Sequence, residues 1–525
     1  MSDSYIEQLT CVLKAEGISL AFGVSGGGKS LDLISSLEDQ GIRYFPVAHE
    51  ASAALMSGAC CRKGATTAVG ITIKGPGVAN LVSGILSNYY ENRPALSISE
   101  AYGKNVPLYQ QHKRLDHHSI CSSILKGFAE AGASPGSLVE LIRDACREIP
   151  GPVHFDLGPT ENTQASKLIK REIKRHTKTT NVRSALSLID SSKNPGIILG
   201  SMVTRNLSNV EWEKVGVPVV TTAAAKGAVD ETSAFAGGII TGEINKLSAE
   251  VGILEHTDLI VAFGLRNTEV IKPVRFHAPL IILDVIDEKT HEGFEPEILI
   301  IDDNVQETTG DILEAVKKKG WGTEAVARHW QAVNTELMTG EWLPAAVFDC
   351  LQKCLGSGVI LTLDTGLFCT IGETVWKCRN AEEFCSSSNG RFMGVSIPTA
   401  IGVAIASPGK KVLCVAGDGG IRPYFPEIKL AIQEKLPIIF ALMADGSFGT
   451  VAMSGRGKKS SLHAFEIANC GWIRAADAMG CNAMTASNLI ELQRGVSSWT
   501  GVEGPLFIEM SFNSEKYINS ARRLR

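Results

Sequence analysis

The chain has 525 residues, and at about 150 residues per domain this length predicts several domains, each with its own buried core. Hydrophobic residues make up 44% and charged residues 20%, which excludes a fibrous fold and extensive disorder. The net charge of −5 gives no support to nucleic acid as a partner, and no stretch approaches the roughly 20 apolar residues of a membrane span.

The glycine and cysteine contents indicate the kind of fold and the cellular environment of the protein. Glycine is abundant (52 residues) and aromatic residues are scarce (6%), which is typical of parallel sheets with tight turns. The 13 cysteines are an odd number and lack the paired spacing of zinc sites. The N-terminus shows no basic region followed by an apolar core, so we expect a cytoplasmic protein with reduced cysteines.

Apolar runs in the first segment alternate with glycine turns and helical patterns. Strands are predicted at 20–24, 44–48, 68–73 and 95–99. Helices are predicted to follow the first three strands, from about residue 30 and over 51–61 and 78–88. This alternation predicts a doubly wound parallel sheet.

The same pattern restarts twice. A polar, basic stretch at 161–181 is predicted to be a linker or connecting helix. The second α/β segment has predicted strands at 196–199, 217–221, 259–263 and 279–284. The third begins near Trp342, with predicted strands at 359–363, 412–416 and 438–443. The sequence therefore predicts an α/β chain of three doubly wound parallel-sheet domains.

Residues 23–30 match the P-loop pattern G-x-x-x-x-G-K-[ST], from Gly23 to Ser30, between a predicted strand and a predicted helix. In such a loop the backbone amides bind phosphates, Lys29 reaches the terminal phosphates and Ser30 binds magnesium. An NTPase also needs a dry strand that ends in an acidic residue, whereas Glu50 opens a predicted helix. A P-loop NTPase stays open as an alternative of a different class.

Two predicted strands of the third segment end in acidic turns. Gly417-Asp418-Gly419-Gly420 follows one strand and Ala444-Asp445-Gly446-Ser447 follows the next, with the aspartates 27 residues apart. The right-handed crossover rule places both acids at the carboxyl edge of the sheet, where ligands bind. A helix is predicted roughly over 424–433, and Gly420 and Ile421, which are predicted to begin it, would add its N-terminal amides. This combination predicts a site for a divalent cation and a diphosphate.

These residues resemble the thiamine-diphosphate signature of the acetolactate synthase, pyruvate decarboxylase and benzoylformate decarboxylase superfamily. Four further segments agree in the same order, at 22–27, 49–54, 75–80 and 393–402. The resemblance implies a pyrimidine-binding domain at 1–165, a central Rossmann-like domain at 182–320 and a diphosphate-binding domain at 340–525. It implies thiamine diphosphate and Mg²⁺ as cofactors, and it leaves FAD or ADP in the central domain undecided.

The resemblance also implies a role for individual residues. Glu50 matches the catalytic carboxyl group that protonates the cofactor's pyrimidine, and Met393 matches the apolar wedge that bends the cofactor. Asp418, Asp445 and the Ser447 carbonyl match the metal ligands. The other implied cofactor contacts are Ser25, Gly26, Gly27, Gly77, Asn80, Thr365, Gly366, Leu367, Phe368, Gly417, Gly419, Gly420, Phe448 and Gly449.

The sequence departs from the family pattern at several positions, of which three bear on the chemistry. Asp445 replaces the usual asparagine but still offers an oxygen to Mg²⁺. Val451 stands where simple pyruvate decarboxylases place a glutamate, which favours a carboligase that withholds a proton until an acceptor arrives. His112 stands where relatives carry a glutamine or tyrosine facing the thiazolium, and both a catalytic acid or base and a surface histidine are open readings.

We therefore expect an enzyme that decarboxylates a small 2-oxo acid and transfers the acyl unit to a carbonyl acceptor. A simple decarboxylase is the first alternative, and a non-catalytic homologue acting as a binding subunit is another. In the family the cofactor lies between the first domain of one subunit and the third domain of another, which implies a homodimer or homotetramer. We expect no nucleic-acid or membrane partner.

Overall fold

Three sheets of mainly parallel strands follow one another along the chain. The computed structural model describes residues 2–61, 64–103, 105–159, 168–171, 181–272, 274–286, 291–455, 462–468 and 470–524. The residues form two compact units, one of Met1–Glu172, Val395–Gly409 and Pro423–Ile438, the other of Ile173–Gly394, Lys410–Arg422 and Ile439–Arg525. The predicted fold class, α/β with three parallel-sheet domains, is confirmed.

The N-terminal sheet has the strand order β2-β1-β3-β4-β6-β5-β7, and all its neighbours are parallel except β5 and β7. Its strands are β1 (Leu20–Gly23), β2 (Arg43–Pro46), β3 (Ala68–Thr72), β4 (Leu96–Glu100), β5 (Gly127–Ala129), β6 (Val153–Leu157) and β7 (Leu168–Lys170). The helices of this segment are α1 (Ser2–Ala15), α2 (Lys29–Asp39), α3 (Glu50–Ala59), α4 (Pro76–Tyr90), α5 (His117–Cys121) and α6 (Pro135–Cys146).

The central sheet is wholly parallel, with the order β10-β9-β8-β11-β12-β13. Numbered within the domain, this is the doubly wound order 3-2-1-4-5-6 of a Rossmann-like fold. Its strands are β8 (Pro195–Leu199), β9 (Val219–Thr222), β10 (Ala236–Ile240), β11 (Leu259–Phe263), β12 (Leu280–Asp284) and β13 (Ile298–Ile301). The helices are α7 (Val182–Ser191), α8 (Val203–Asn206), α9 (Ala249–Gly252), α10 (Val305–Lys317) and α11 (Thr323–Leu337).

The C-terminal sheet has the order β14-β15-β16-β18-β17. Its strands are β14 (Ile360–Leu363), β15 (Val412–Gly417), β16 (Ile438–Ala444), β17 (Asn482–Ala486) and β18 (Leu506–Ser511). The helices are α12 (Pro344–Leu355), α13 (Leu367–Val375), α14 (Ser396–Ala406), α15 (Ile428–Gln433), α16 (Gly449–Gly455), α17 (Trp472–Ala478), α18 (Leu489–Ser498) and α19 (Ser514–Arg522). In the described ranges, none of the helices combines the length and apolar character that a membrane crossing requires.

Two local predictions are wrong. Leu168–Lys170, inside the predicted linker, is a strand because it pairs antiparallel with β5, and 161–167 and 172–180 of that stretch lie outside the described residues. The helix predicted roughly over 424–433 is observed as a 3₁₀ turn followed by α15, but Gly420 and Ile421 do not begin it, since 418–424 form turns and α15 begins at Ile428. Pro423 and Pro426 explain the delay, because a proline disfavours helical backbone at the preceding residue and lacks an N–H.

Helix α3, whose first residue is Glu50, is held by close helix packing. Every residue from Ala51 to Ala59 is buried, and the small side chains let α4 approach directly. At Gly84 of α4, an added Cβ would lie 2.5 Å from the carbonyl oxygen of Ala51 and 2.7 Å from the Cβ of Ala54. The position of Glu50 therefore depends on a contact that admits no side chain at Gly84.

We predict opposite stability effects for alanine at two helical glycines. Gly84→Ala should lower the free energy of unfolding by about 1–3 kcal/mol, because the added methyl group overlaps α3. The matched control is Gly310→Ala in α10, where an added Cβ meets no described atom within 4 Å. That variant should be more stable by about 0.5–1 kcal/mol, because alanine favours the helix. Urea unfolding midpoints of both variants check this, and equal shifts would contradict the packing argument.

Candidate active site

A cavity of about 230 Å³ opens at the carboxyl edge of the C-terminal sheet. Every cofactor-binding residue predicted in the third domain lines it. These are Thr365, Gly366, Leu367, Phe368, Met393, Gly417, Asp418, Gly419, Gly420, Asp445, Ser447, Phe448 and Gly449. Met443, Thr450, Val451 and Tyr517 complete the wall. The cavity thus joins an apolar surface to a pair of carboxylates.

The two aspartates predicted as metal ligands are in direct contact through the backbone. Asp418 follows β15 and Asp445 follows β16, and these strands are neighbours in the sheet. The Oδ2 atom of Asp418 accepts hydrogen bonds from the N–H groups of Asp445 (2.7 Å) and Gly446 (3.0 Å). Asp445 in turn accepts from the Ser447 hydroxyl (2.9 Å) and the Ser514 hydroxyl (3.3 Å).

Both carboxylates have perturbed pKa values. Burial, aided by the charges of Asp445 and Glu509, raises the pKa of Asp418 to about 6. Burial also raises the pKa of Asp445, against the hydrogen bonds from Ser447. A cation between two such oxygens would stabilise their charged forms. The donor set, two carboxylates beside the backbone of Ser447, suits a hard divalent cation such as Mg²⁺.

A third carboxylate, which the sequence analysis missed, holds two of the loops that line the cavity. Asp364 follows β14, is fully buried, and accepts hydrogen bonds from the N–H groups of Gly394 (2.7 Å) and Thr365 (2.8 Å). Burial raises its pKa to about 7. A Cβ at Gly420 would overlap Asp364 Oδ2, so this turn requires glycine. Asp364 thereby links the loop of Met393 to the turn after Asp418, and its position at a strand end is the signal that could have revealed it.

Met393 lies at the rim of this cavity. Its side chain is 46% exposed, although methionine is normally a core residue. A Cβ at Gly419 would lie 3.1 Å from the Met393 sulfur and 2.5 Å from the Phe448 ring. An exposed apolar side chain held against a glycine turn and an aromatic ring offers the surface that a flat heterocyclic ligand would need.

In the N-terminal domain, Glu50 is held from both sides. The Nδ2 atom of Asn80 on α4 donates to Glu50 Oε2 at 3.0 Å. The loop before Glu50 is fixed by Glu427, whose Oε1 accepts from the N–H groups of Ala48 and His49, each at 3.1 Å. Burial raises the pKa of Glu427. Glu427 was missed because nothing near residue 427 in the sequence points to a partner at residue 48.

The two glycine turns predicted to contact the cofactor lie at the carboxyl ends of β1 and β3. Ser25 bonds the Tyr44 hydroxyl at 3.2 Å, and neither Gly26 nor Gly77 has room for a Cβ. His112 lies in the loop before α5 with an exposed side chain, and its carbonyl accepts from the Tyr102 hydroxyl at 3.0 Å.

The hydrogen bonds of the turn at residues 23–30 contradict the P-loop alternative. The Ser30 N–H, which would face a phosphate, donates to Oε1 of Glu100 at 2.8 Å. The Ser30 hydroxyl, the expected magnesium ligand, donates to the Gly27 carbonyl. Lys74 pairs with Glu100 Oε2 at 2.6 Å. A protein carboxylate therefore occupies the anion position, and the pattern at 23–30 is a coincidence of spacing.

The central domain has a similar arrangement where a Rossmann fold binds the pyrophosphate of a nucleotide. After β8, the N–H and hydroxyl groups of Ser201 both donate to the buried carboxylate of Glu269, at 2.8 and 2.7 Å. Arg266 and Asp284, which face the same strand ends, form a buried ion pair at 2.8 Å. The carboxylates at this edge of the central sheet are therefore paired with groups of the same domain.

Comparisons with known proteins agree with this geometry. Thiamine pyrophosphate enzyme family models match residues 4–120 (N-terminal TPP binding domain), 182–308 (central domain) and 364–510 (C-terminal TPP binding domain). The chain is 25% identical to the catabolic acetolactate synthase of Raoultella terrigena, covering 94% of this chain and 92% of the relative. It is 22% identical to the acetolactate synthase of Bacillus subtilis, over 97% of this chain and 93% of the relative.

A third relative is a probable acetolactate synthase large subunit of Methanococcus aeolicus, 24% identical over 85% of this chain and 81% of the relative. The matched segments include Glu50 and Asn80 in the N-terminal domain and Asp418 and Asp445 in the C-terminal domain. Because all three domain models match in order along most of the sequence, this chain belongs to the thiamine pyrophosphate enzyme family.

Proposed function

We propose that the protein is a thiamine-diphosphate- and Mg²⁺-dependent carboligase that removes CO₂ from a 2-oxo acid and transfers the acyl unit to a carbonyl acceptor. The observation that carries the proposal is the C-terminal cavity, where Asp418 and Asp445 meet beside an apolar wall. The names of the relatives, which are acetolactate synthases, support this class of reaction.

Each group has a distinct part in this proposal. Asp418, Asp445 and the Ser447 carbonyl hold Mg²⁺, and Met393 supports the face of the cofactor. When bound, thiamine diphosphate supplies a carbon nucleophile and an electron sink. Glu50 holds and returns a proton at its carboxyl oxygens, and Asn80 orients that carboxyl group through the 3.0 Å hydrogen bond.

The choice of carboligation rests on Val451. This residue lines the cavity and is 54% exposed, and it has no proton to donate to a nascent acyl unit. Leu367 and Phe448, which line the same cavity, are equally apolar. The absence of a general acid at position 451 favours reaction with a second carbonyl compound over simple protonation.

The first test separates cofactor binding from turnover. Asp418→Ala should weaken binding of thiamine diphosphate with Mg²⁺ by at least roughly 100-fold, because it removes a metal ligand. Glu50→Gln should keep binding but lower kcat for CO₂ release by about 10²- to 10⁴-fold, because it removes the proton. Calorimetric titration and CO₂ release from pyruvate and other short 2-oxo acids measure the two effects.

The matched control for these variants is Asp477→Asn, on the exposed face of α17, which should behave as wild type. Binding that survives Asp418→Ala would contradict the metal assignment. Cofactor binding by the wild-type protein without turnover of any 2-oxo acid would favour the non-catalytic alternative.

A mixing experiment tests the proposed dimer, in which the N-terminal domain of one subunit and the C-terminal domain of another complete each site. Asp418→Ala and Glu50→Gln are each predicted to be inactive alone. Mixed and re-equilibrated, they should regain roughly a quarter of wild-type kcat, because half of the dimers are mixed and each has one intact site. No recovery, with subunit exchange shown by native mass spectrometry, would place both residues in a site within one chain.

The reaction outcome can be tested at Val451. Val451→Glu introduces a carboxyl group where simple decarboxylases carry one, and it should shift products from the carboligation product to the aldehyde by about tenfold or more. Chromatographic quantification of both products gives the ratio. Val451→Leu changes size but offers no proton, so its product ratio should match wild type. An unchanged ratio in Val451→Glu would remove Val451 from the argument.

A further inference from the structure

A buried polar cluster lies beneath the second glycine turn of the N-terminal domain. It consists of His117 on α5, His154 and Asp156 on β6, and Ser97 and Ser99 on β4, all at most 8% exposed. His117 and Asp156 also line a cavity of about 310 Å³. Buried polar side chains need hydrogen-bond partners, so the partners of these five residues indicate what the cluster does.

The hydrogen bonds determine which nitrogen of His117 carries the proton. The N–H of Gly75 donates to Nε2 of His117 at 3.1 Å, so Nε2 must present a lone pair. The proton of the neutral ring therefore lies on Nδ1, which donates to Oδ1 of Asp156 at 2.7 Å. Asp156 thus selects the tautomer of His117, as a carboxylate does for any histidine that must accept a proton or hydrogen bond at its far nitrogen.

The hydrogen bonds of His117 are incompatible with a metal ion bound at its Nδ1 atom. The ligand atoms of His117, His154 and Asp156 lie within 4.8 Å of one another, which would permit coordination. A metal on Nδ1 of His117 would move the ring proton to Nε2, where it would face the N–H of Gly75. Two donors would then point at each other, and the buried amide of Gly75 would lose its acceptor.

Gly75 connects this cluster to both candidate catalytic residues. It has φ 68° and immediately precedes α4, the helix whose Asn80 donates to Glu50. A Cβ at Gly75 would overlap the carbonyl oxygen of Lys113, so the turn also packs against the loop of His112. A shift of this turn would move the partner of Glu50 and the loop of His112 together.

We propose that His117, held in one tautomer by Asp156, is a positioning residue that anchors the Gly75 turn and thereby the Glu50–Asn80 pair. The proposal rests on the proposed function for its effect on turnover, whereas the anchor itself belongs to the protein without cofactor.

The test combines two measurements on the apoprotein with one on turnover. Imidazole ¹⁵N spectra, assigned by loss of the signal in His117→Gln, should show the Nδ1–H tautomer at neutral pH. Amide hydrogen exchange across 70–80 should accelerate in His117→Leu and stay near wild type in His117→Gln, whose carbonyl oxygen can still accept from Gly75. With saturating cofactor, kcat should fall roughly 10- to 100-fold in His117→Leu and be largely restored in His117→Gln.

Rescue by His117→Gln is the readout that a merely structural role would not move, because this variant restores only the acceptor for the Gly75 N–H. His118→Gln is the matched control, because His118 packs its ring on Phe128 and is not bonded to Gly75. Should His117→Leu fail to fold, Asp156→Asn replaces it, since an amide can donate to Nδ1 and should populate the other tautomer and accelerate exchange at 70–80.

The Nε2–H tautomer in the wild-type apoprotein, or one equivalent of Zn²⁺ bound in a His117-dependent way, would overturn the anchor. Unchanged exchange at 70–80 in both His117→Leu and Asp156→Asn would also overturn it. If the apoprotein results hold but wild type turns over no 2-oxo acid, the proposed function fails and the anchor stands.

Discussion

Carboxylates that accept backbone N–H groups hold the loops at the carboxyl edges of these sheets, and the rest of the structure depends on them. Glu100 accepts from the N–H of Ser30, and Glu427 accepts from the loop before Glu50. Glu269 accepts from the turn after β8, and Asp364 accepts from the N–H of Gly394. A buried carboxylate is costly unless it is hydrogen-bonded, and a buried amide is costly without an acceptor. Pairing the two removes both penalties and fixes the loop in one conformation.

The same arrangement has opposite consequences in different domains. In the N-terminal and central domains, the carboxylates of Glu100 and Glu269 accept the backbone N–H groups of a turn. An external phosphate that approached these N–H groups would therefore meet a negative charge. In the C-terminal domain Asp418 and Asp445 line an open cavity instead, and burial raises their pKa values. Under the proposed function, the C-terminal sheet would hold a cation where its two aspartates face a cavity, whereas Glu100 and Glu269 accept from turns of their own domains.

The sequence predicted the parts of the structure that depend on local pattern. The strands that end at Asp418 and Asp445 were identified because an apolar run followed by an acidic glycine turn is a local signal, and the crossover rule brought both acids together. Glu427 could not be found in this way, because it accepts from residues 379 and 378 positions earlier in the chain. The helix after the Asp418 turn lies within the range predicted for it, but it begins later than Gly420 because Pro423 and Pro426 disfavour helical backbone at the residues before them.

The replacement of asparagine by Asp445 fits its surroundings. Its carboxylate accepts from the N–H of Ser447 (3.3 Å) and from the hydroxyl groups of Ser447 (2.9 Å) and Ser514 (3.3 Å), all of which are donors. These bonds stabilise the charge that an asparagine would not carry, and they act against the burial that raises its pKa. Hydroxyl groups can both donate and accept, so the same pair of serines would also serve an asparagine. The extra negative charge is therefore accommodated by neighbouring donors, and under the proposed function it would strengthen the attraction of this edge for a divalent cation without adding a ligand.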